Sequence, residues 1–123
     1  MACLLNTRDK FTFYKAVEHC KDSNTRLPVI LGSQEQNEIK KRKDQDNLSV
    51  IWLGAEDSAK EGVFTWMVEN GPRIDDNFIN WSQGQPDDWS TGEDCLEMIR
   101  DGTWNDQDCT SVPRHFMCEK VLD

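Results

Sequence analysis

Five cysteines in 123 residues constrain this chain more than any other feature. Cys3, Cys20, Cys95, Cys109 and Cys118 contain no Cys-X-X-Cys pair, the spacing expected of a structural zinc site or a dithiol redox centre. Disulfides are the better use for them, and four cysteines allow three connectivities among which sequence alone does not choose. Length indicates one domain, residues 1–123, and 37% hydrophobic against 30% charged residues gives a modest core that covalent bridges would reinforce. Cys3 is then left over, and reads first as half of a bridge whose partner lies outside the sequence, with pairing between chains or a free thiol as alternatives. Such bridges persist in oxidising compartments, so the expected location is extracellular, either secreted or as part of a receptor ectodomain.

Charge narrows the partners. A net charge of -9 would repel nucleic acid and anionic membrane surfaces, so both are poor candidate ligands. No apolar run approaches the roughly 18 residues of a membrane span, and the Met-Ala start lacks the pattern of a signal peptide.

Periodicity divides the chain into a helical first part and a strand-rich second part. Residues 12–23 place Phe13, Ala16, Val17 and Cys20 at helical spacing behind Thr12 as N-cap, which predicts an amphipathic helix. "RLPVI" predicts a short strand. Ser33 and Gln36 form a capping-box pattern that opens a second, polar helix through "NEIKKRKDQ". Its basic run, Lys40 to Lys43, is flanked by Glu35, Glu38, Asp44 and Asp46 and reads as a solvated face without a function of its own. Further on, "VIWLGAED", "VFTWMV", "CLEMIR", "GTWND" and "RHFMCEK" predict short strands between turn residues. Residues 70–94 show no periodicity and are too long for an ordinary connection, which marks a functional loop. The fold class is α+β, helices first and then strands.

His19 and His115 are far apart in sequence and no nucleophile motif accompanies them, which argues against a hydrolytic triad. Asn47-Leu48-Ser49 and Asn80-Trp81-Ser82 match the N-glycosylation triplet, a weak signal by itself. The acids carry more. Asp57 and Glu61, then Gln85, Asp87, Asp88, Glu93 and Asp94, then Asn105, Asp106 and Asp108 form a supply of hard oxygen donors. Calcium takes six to eight such oxygens, whereas zinc prefers imidazole or thiolate and magnesium a stricter octahedron. A bond between Cys95 and Cys109 would hold Glu93 near Asn105 and Asp106, and closing a loop of roughly 15 residues contributes ~3 kcal/mol in the chain-entropy model.

Over nearly its whole length the chain resembles the C-type lectin-like domain, the carbohydrate-recognition fold. Trp52-Leu53-Gly54, Gln85-Pro86-Asp87 and Trp104-Asn105-Asp106 match three signatures of that family, in order with the cysteines. The resemblance implies two helices, short antiparallel sheets and a long calcium-binding loop, and it pairs Cys20 with Cys118 and Cys95 with Cys109. Cys3 resembles one half of an additional N-terminal bridge found in longer members.

The same resemblance implies calcium as cofactor. A sugar-site ion would be held by Gln85, Asp87, Glu93, Asn105 and Asp106, the last through its backbone carbonyl as well, with Pro86 in cis. An auxiliary ion would take Asp57, Glu61, Asp88, Glu93 and Asp94. Two calcium ions would offset four of the nine excess negative charges. The sugar would be met by Gln85, Asp87, Asn105 and Glu93 through two vicinal hydroxyls, and by Trp89 through its ring. Gln-Pro-Asp resembles the order found in binders of galactose and N-acetylgalactosamine rather than the Glu-Pro-Asn of mannose binders. Only Ser90, Thr91 and Gly92 separate Trp89 from Glu93, where galactose-selective relatives carry a glycine-rich insertion, so the implied preference tolerates mannose. The implied partners are glycans with terminal galactose or N-acetylgalactosamine, with avidity from oligomerisation through regions outside this chain. An enzyme is not expected, because acids held ionised by calcium are poor proton donors for glycosidase chemistry. The alternative is a lectin-like domain that binds a protein or ice.

Overall fold

The computed structural model describes residues 2–57, 63–68, 71–76, 78–84 and 95–121. Strand β1 (Ala2–Phe11) leads into helix α1 (Phe13–Asp22) and helix α2 (Ser33–Gln45). Strands β2 (Ile51–Glu56), β3 (Thr65–Trp66), β4 (Cys95–Met98), β5 (Trp104–Gln107) and β6 (Arg114–Val121) follow, with a short 3-10 turn at Ile74–Asp76. The strands form a sheet in the order β1-β6-β2-β4-β5, with β3 attached to β2. Neighbours are antiparallel, as expected, except β2 and β6, which meet in parallel at Ile51 and His115 and make the sheet mixed.

The α+β class holds, but a strand comes before the helices. "ACLLNTRDKF" lacks a period-2 alternation, and its pairing partner is at the far end of the chain: Ala2 lies opposite Val121 and Thr7 opposite Phe116. "RLPVI" is not a strand. Arg26 makes one isolated bridge to Glu119, and Pro28 has no N–H with which to extend it. "VFTWMV" is reduced to the two residues of β3.

Both helices end alike. Asn24 (φ 58°) and Asn47 (φ 59°) take the left-handed position just past the last turn. Thr25 N–H then bonds Cys20 O and Leu48 N–H bonds Lys43 O, at 2.9 Å each, which satisfies carbonyls the helices leave open. At its start, α1 has Thr12 as N-cap with an extended backbone and no side-chain capping bond.

Helix α2 departs from the expected capping box. Gly32 occupies the N-cap, so Ser33 lies one residue too far into the helix. Gln36 turns inward instead: its Nε2 donates to Gly102 O at 2.7 Å and its Oε1 accepts from Trp104 Nε1 at 3.0 Å. The basic run is not wholly solvated either. Lys40 and Arg42 pair at i,i+4 with Asp44 and Asp46, but Lys43 is buried and its Nζ donates to Asp44 Oδ1 at 2.9 Å and Arg100 O at 3.2 Å. Those bonds and Leu48 O hold the ammonium without exposing it. Helix α2 therefore docks through polar anchors at both ends, with Ile39 between them.

Two apolar clusters fill the interior. One gathers Ile51, Leu53, Trp66, Leu96, Met98 and Trp104 among others; the second joins Phe13, Ala16, Trp52 and Phe116 to the cysteines. Trp66 and Trp104 meet edge to face at 5.6 Å, a geometry worth about 0.5–1.5 kcal/mol beyond burial. Gly54 explains its place after Trp52-Leu53: a Cβ there would meet Leu27 O at 2.9 Å, because residues 27–28 cross directly over β2. The disulfides are Cys20–Cys118 and Cys95–Cys109, the pairing implied by the family resemblance. Beside the first, Glu119 is buried and accepts from Arg26 Nε at 2.8 Å and Val29 N–H at 3.1 Å; burial raises its pKa above the ordinary 4.5 despite those donors.

Candidate functional site

Strand β5 carries the third signature, and it lies at the edge of the sheet. Its residues alternate, with Trp104 and Asp106 buried and Asn105 and Gln107 half-buried. Trp104 exchanges backbone bonds with the chain outside the sheet, N–H to Asn80 O at 2.9 Å and O from Ser82 N–H at 2.8 Å. Backbone groups along a strand point alternately to its two sides, so Asp106, two residues on, directs its carbonyl to the same outer edge. Asn105 and Gln107 face β4, opposite Glu97 and Cys95.

Glu97 organises the inner side of this pair. Buried in β4, its Oε2 accepts from Asn105 Nδ2 at 2.9 Å and its Oε1 accepts from Arg114 Nε at 2.9 Å. A carboxylate only accepts, so the NH₂ end of the Asn105 amide must face Glu97 and its Oδ1 must face away. Arg114 supplies the counter-charge that a buried carboxylate needs. Neither Glu97 nor Arg114 was among the expected site residues. The sequence signal is slight, a charged residue inside an otherwise apolar "CLEMI", and the partners lie 8 and 17 residues away.

Chain connectivity places the described residues on either side of the segment 85–94 near this edge. Trp81 bridges Trp104 in parallel, so residues 82–84 advance in the same direction as 105–107. The segment 85–94 starts from that position and returns to the sheet at Cys95, one strand further in. The Cys95–Cys109 bridge, with Cα atoms 5.4 Å apart, pins the return point to the residue two beyond β5. Asp57, buried at 1% exposure, follows Glu56, which lies opposite Cys95.

Of the expected site residues, Asp57, Asn105 and Asp106 are therefore near the two ends of one segment. Glu61, Gln85, Pro86, Asp87, Asp88, Trp89, Glu93 and Asp94 lie outside the described residues. Among the described residues no group of three or more His, Cys, Asp or Glu stands close enough to hold a metal. Asp108, also an oxygen-donor candidate, takes another role: its Oδ1 accepts the N–H groups of Thr110 and Ser111, and these bonds hold its carboxyl below the usual range. His19 is exposed and packs edge-on against Phe11 and Phe116.

The family model for the lectin C-type domain matches residues 9–120. The chain belongs to the C-type lectin domain family. Asialoglycoprotein receptor 2 of Mus musculus is 36% identical over 124 residues, 97% of this chain and 38% of the receptor, so the chain spans well under half that relative's length. The carbohydrate-recognition domain of the mouse scavenger receptor C-type lectin superposes with a TM-score of 0.85 at 32% identity, covering 99% of this chain and 92% of that one. A herring type II antifreeze protein shares the fold, with a TM-score of 0.83, 24% identity and coverage of 99% and 92%.

C-type lectin domains are carbohydrate-binding modules and not enzymes. They generally bind calcium and are typically extracellular or parts of ectodomains. The described part of this member offers hard oxygen donors: the Asp106 carbonyl and carboxylate and the Asn105 amide oxygen on edge strand β5, with Asp57 just past the end of β2. Among the described residues no helix is long and apolar enough to cross a membrane.

Proposed function

We propose that this C-type lectin domain binds sugars in a calcium-dependent way and prefers galactose or N-acetylgalactosamine. The observation that carries the reading is the edge of β5, where Glu97 holds the NH₂ end of the Asn105 amide so that its Oδ1 faces away, and where Trp81 bridges Trp104 shortly before Gln85-Pro86-Asp87 in sequence. Gln85, Asp87, Glu93, Asn105 and Asp106 would hold the sugar-site calcium, and Asp57, Glu61, Asp88, Glu93 and Asp94 an auxiliary one. When bound, the ion supplies a Lewis-acidic centre with positions open to two vicinal hydroxyls. The chain's own groups do the discriminating. Gln85 offers an amide donor before Asp87 offers an acceptor, Asn105 keeps one N–H for a ligand while the other serves Glu97, and Trp89 covers the apolar face of galactose. The name of the mouse relative, a receptor for asialoglycoproteins, supports a ligand class of glycans lacking sialic acid.

A glycan array run in millimolar calcium and again in chelator tests this, with galactose and mannose as competitors. Signals on galactose-terminated glycans that vanish in chelator are expected. Exchanging Gln85→Glu together with Asp87→Asn should move the preference towards mannose. A blank array, or a protein or ice ligand bound equally well in chelator, would overturn the reading.

Glu97 gives a separate prediction. Glu97→Ala removes the brace on the Asn105 amide and should weaken calcium binding by about 10–100-fold, as loss of an outer partner of a metal ligand commonly does. Glu97→Gln keeps an acceptor for Asn105 and should recover most of that loss. Titration calorimetry with calcium alone distinguishes the variants, and equal affinities in all three would show that Asn105 needs no such support.

A further inference from the structure

We infer that Asn47 carries an N-linked glycan and that Asn80, the other asparagine in an Asn-X-Ser/Thr triplet, does not. The two triplets are alike in sequence and opposite in structure. Asn47 is the left-handed residue closing α2 and its side chain is exposed, as is that of Ser49, while Leu48 between them is 4% exposed and belongs to the core. The amide and the hydroxyl that define the acceptor triplet thus stand out in solvent. Their backbone is fixed from below: Asn47 N–H bonds Asp44 O at 3.1 Å, Leu48 N–H bonds Lys43 O at 2.9 Å, and the buried Lys43 ammonium reaches Leu48 O. A saccharide on Asn47 Nδ2 displaces none of these bonds. An open cavity of about 220 Å³ beside it, lined by Lys43, Asp44, Asn47, Leu48, Ser49 and Arg100, offers the first sugar a polar surface to rest on.

Asn80 is already committed. Its Nδ2 donates to Gly102 O at 3.0 Å, the same carbonyl that takes Gln36 Nε2 at 2.7 Å. Its own backbone oxygen accepts Trp104 N–H, and Trp81 meets Phe64 at 5.2 Å and Trp104 at 6.1 Å, both edge to face. A glycan at this position would stand where the β4–β5 turn closes on the side chain, so the protein could keep either the modification or the contact between α2, residue 80 and β5.

The donor is a lipid-linked oligosaccharide diphosphate. The Asn47 Nδ2–C bond to the anomeric carbon forms as the C–O bond to the diphosphate breaks; one Nδ2 proton is lost and the lipid diphosphate leaves. The test is secretion of the chain from eukaryotic cells behind a secretion signal, followed by peptide mapping of the secreted fraction with and without peptide-N-glycosidase in isotopically heavy water. Label is expected at Asn47 alone. Asn47→Gln and Ser49→Ala should each abolish the glycan mass, and Asn80→Gln should leave it unchanged. Secreted protein bare at Asn47, or glycosylated at Asn80, would overturn the inference.

Discussion

Asp106→Asn is expected to abolish retention of the domain on immobilised galactose, and removing calcium from the unaltered protein is expected to do the same. The substitution keeps the size of the side chain and removes one ligand charge at the strand where the proposed ion would be held through both side chain and carbonyl. Extracellular calcium modules bind at roughly 10⁻⁴ to 10⁻³ M, so little affinity is in reserve. A loss of calcium affinity of about 100-fold or more is expected, placing the site beyond reach of millimolar calcium. Retention should also weaken as pH falls towards 5, because protons compete for the same carboxylates. Unfolding measured in chelator separates this from damage to the fold: Asp106→Asn should melt close to the parent there. Undiminished retention in the variant would remove Asp106 from the site.

Breaking the Cys20–Cys118 bridge is expected to have the largest effect on stability. The two cysteines are separated by 98 residues, and a loop of about 100 residues corresponds to ~4.7 kcal/mol in the chain-entropy model. Cys20 is fully buried on α1, within the cluster that contains Phe13, Trp52 and Phe116, so the sulfurs also contribute packing. With an unfolding entropy of about 2.1 cal/mol/K per residue, paired replacement by alanine should lower Tm by roughly 15–20 °C. Scanning calorimetry in chelator checks this without the contribution of bound ions. A fall of only a few degrees would mean that the unbridged chain keeps native-like closure in its unfolded state.

Helix α1 was legible because Phe13, Ala16 and Cys20 recur at the spacing of a helix face, whereas the left-handed Asn24 and Asn47 that close the two helices were not among the signals read. Strand β1 was not, because only its register with β6 makes it a strand. Ser33 and Gln36 fit a capping box by spacing, yet Gly32 starts the helix and Gln36 is taken by Gly102 and Trp104, 66 and 68 residues away. Lys43 looked like one more solvated cation until the carbonyls at the end of its own helix and in the β4–β5 turn enclosed it. In the site, residue chemistry pointed to Asp57, Asn105 and Asp106. The part played by Glu97 depends on pairing between strands, and periodicity along one strand carries no record of that.

The pairing of β1 with β6 decides how the molecule bears load. Residues 2 and 121 are directly opposite each other, so pulling on flanking polypeptide peels these strands apart one bond at a time rather than shearing them. Peeling stops at the Cys20–Cys118 bridge, which passes the tension from one arm straight to the other. The covalent load path thus bypasses the chain between residues 20 and 118, the β4–β5 edge included, so tension on the flanking polypeptide leaves that edge undeformed.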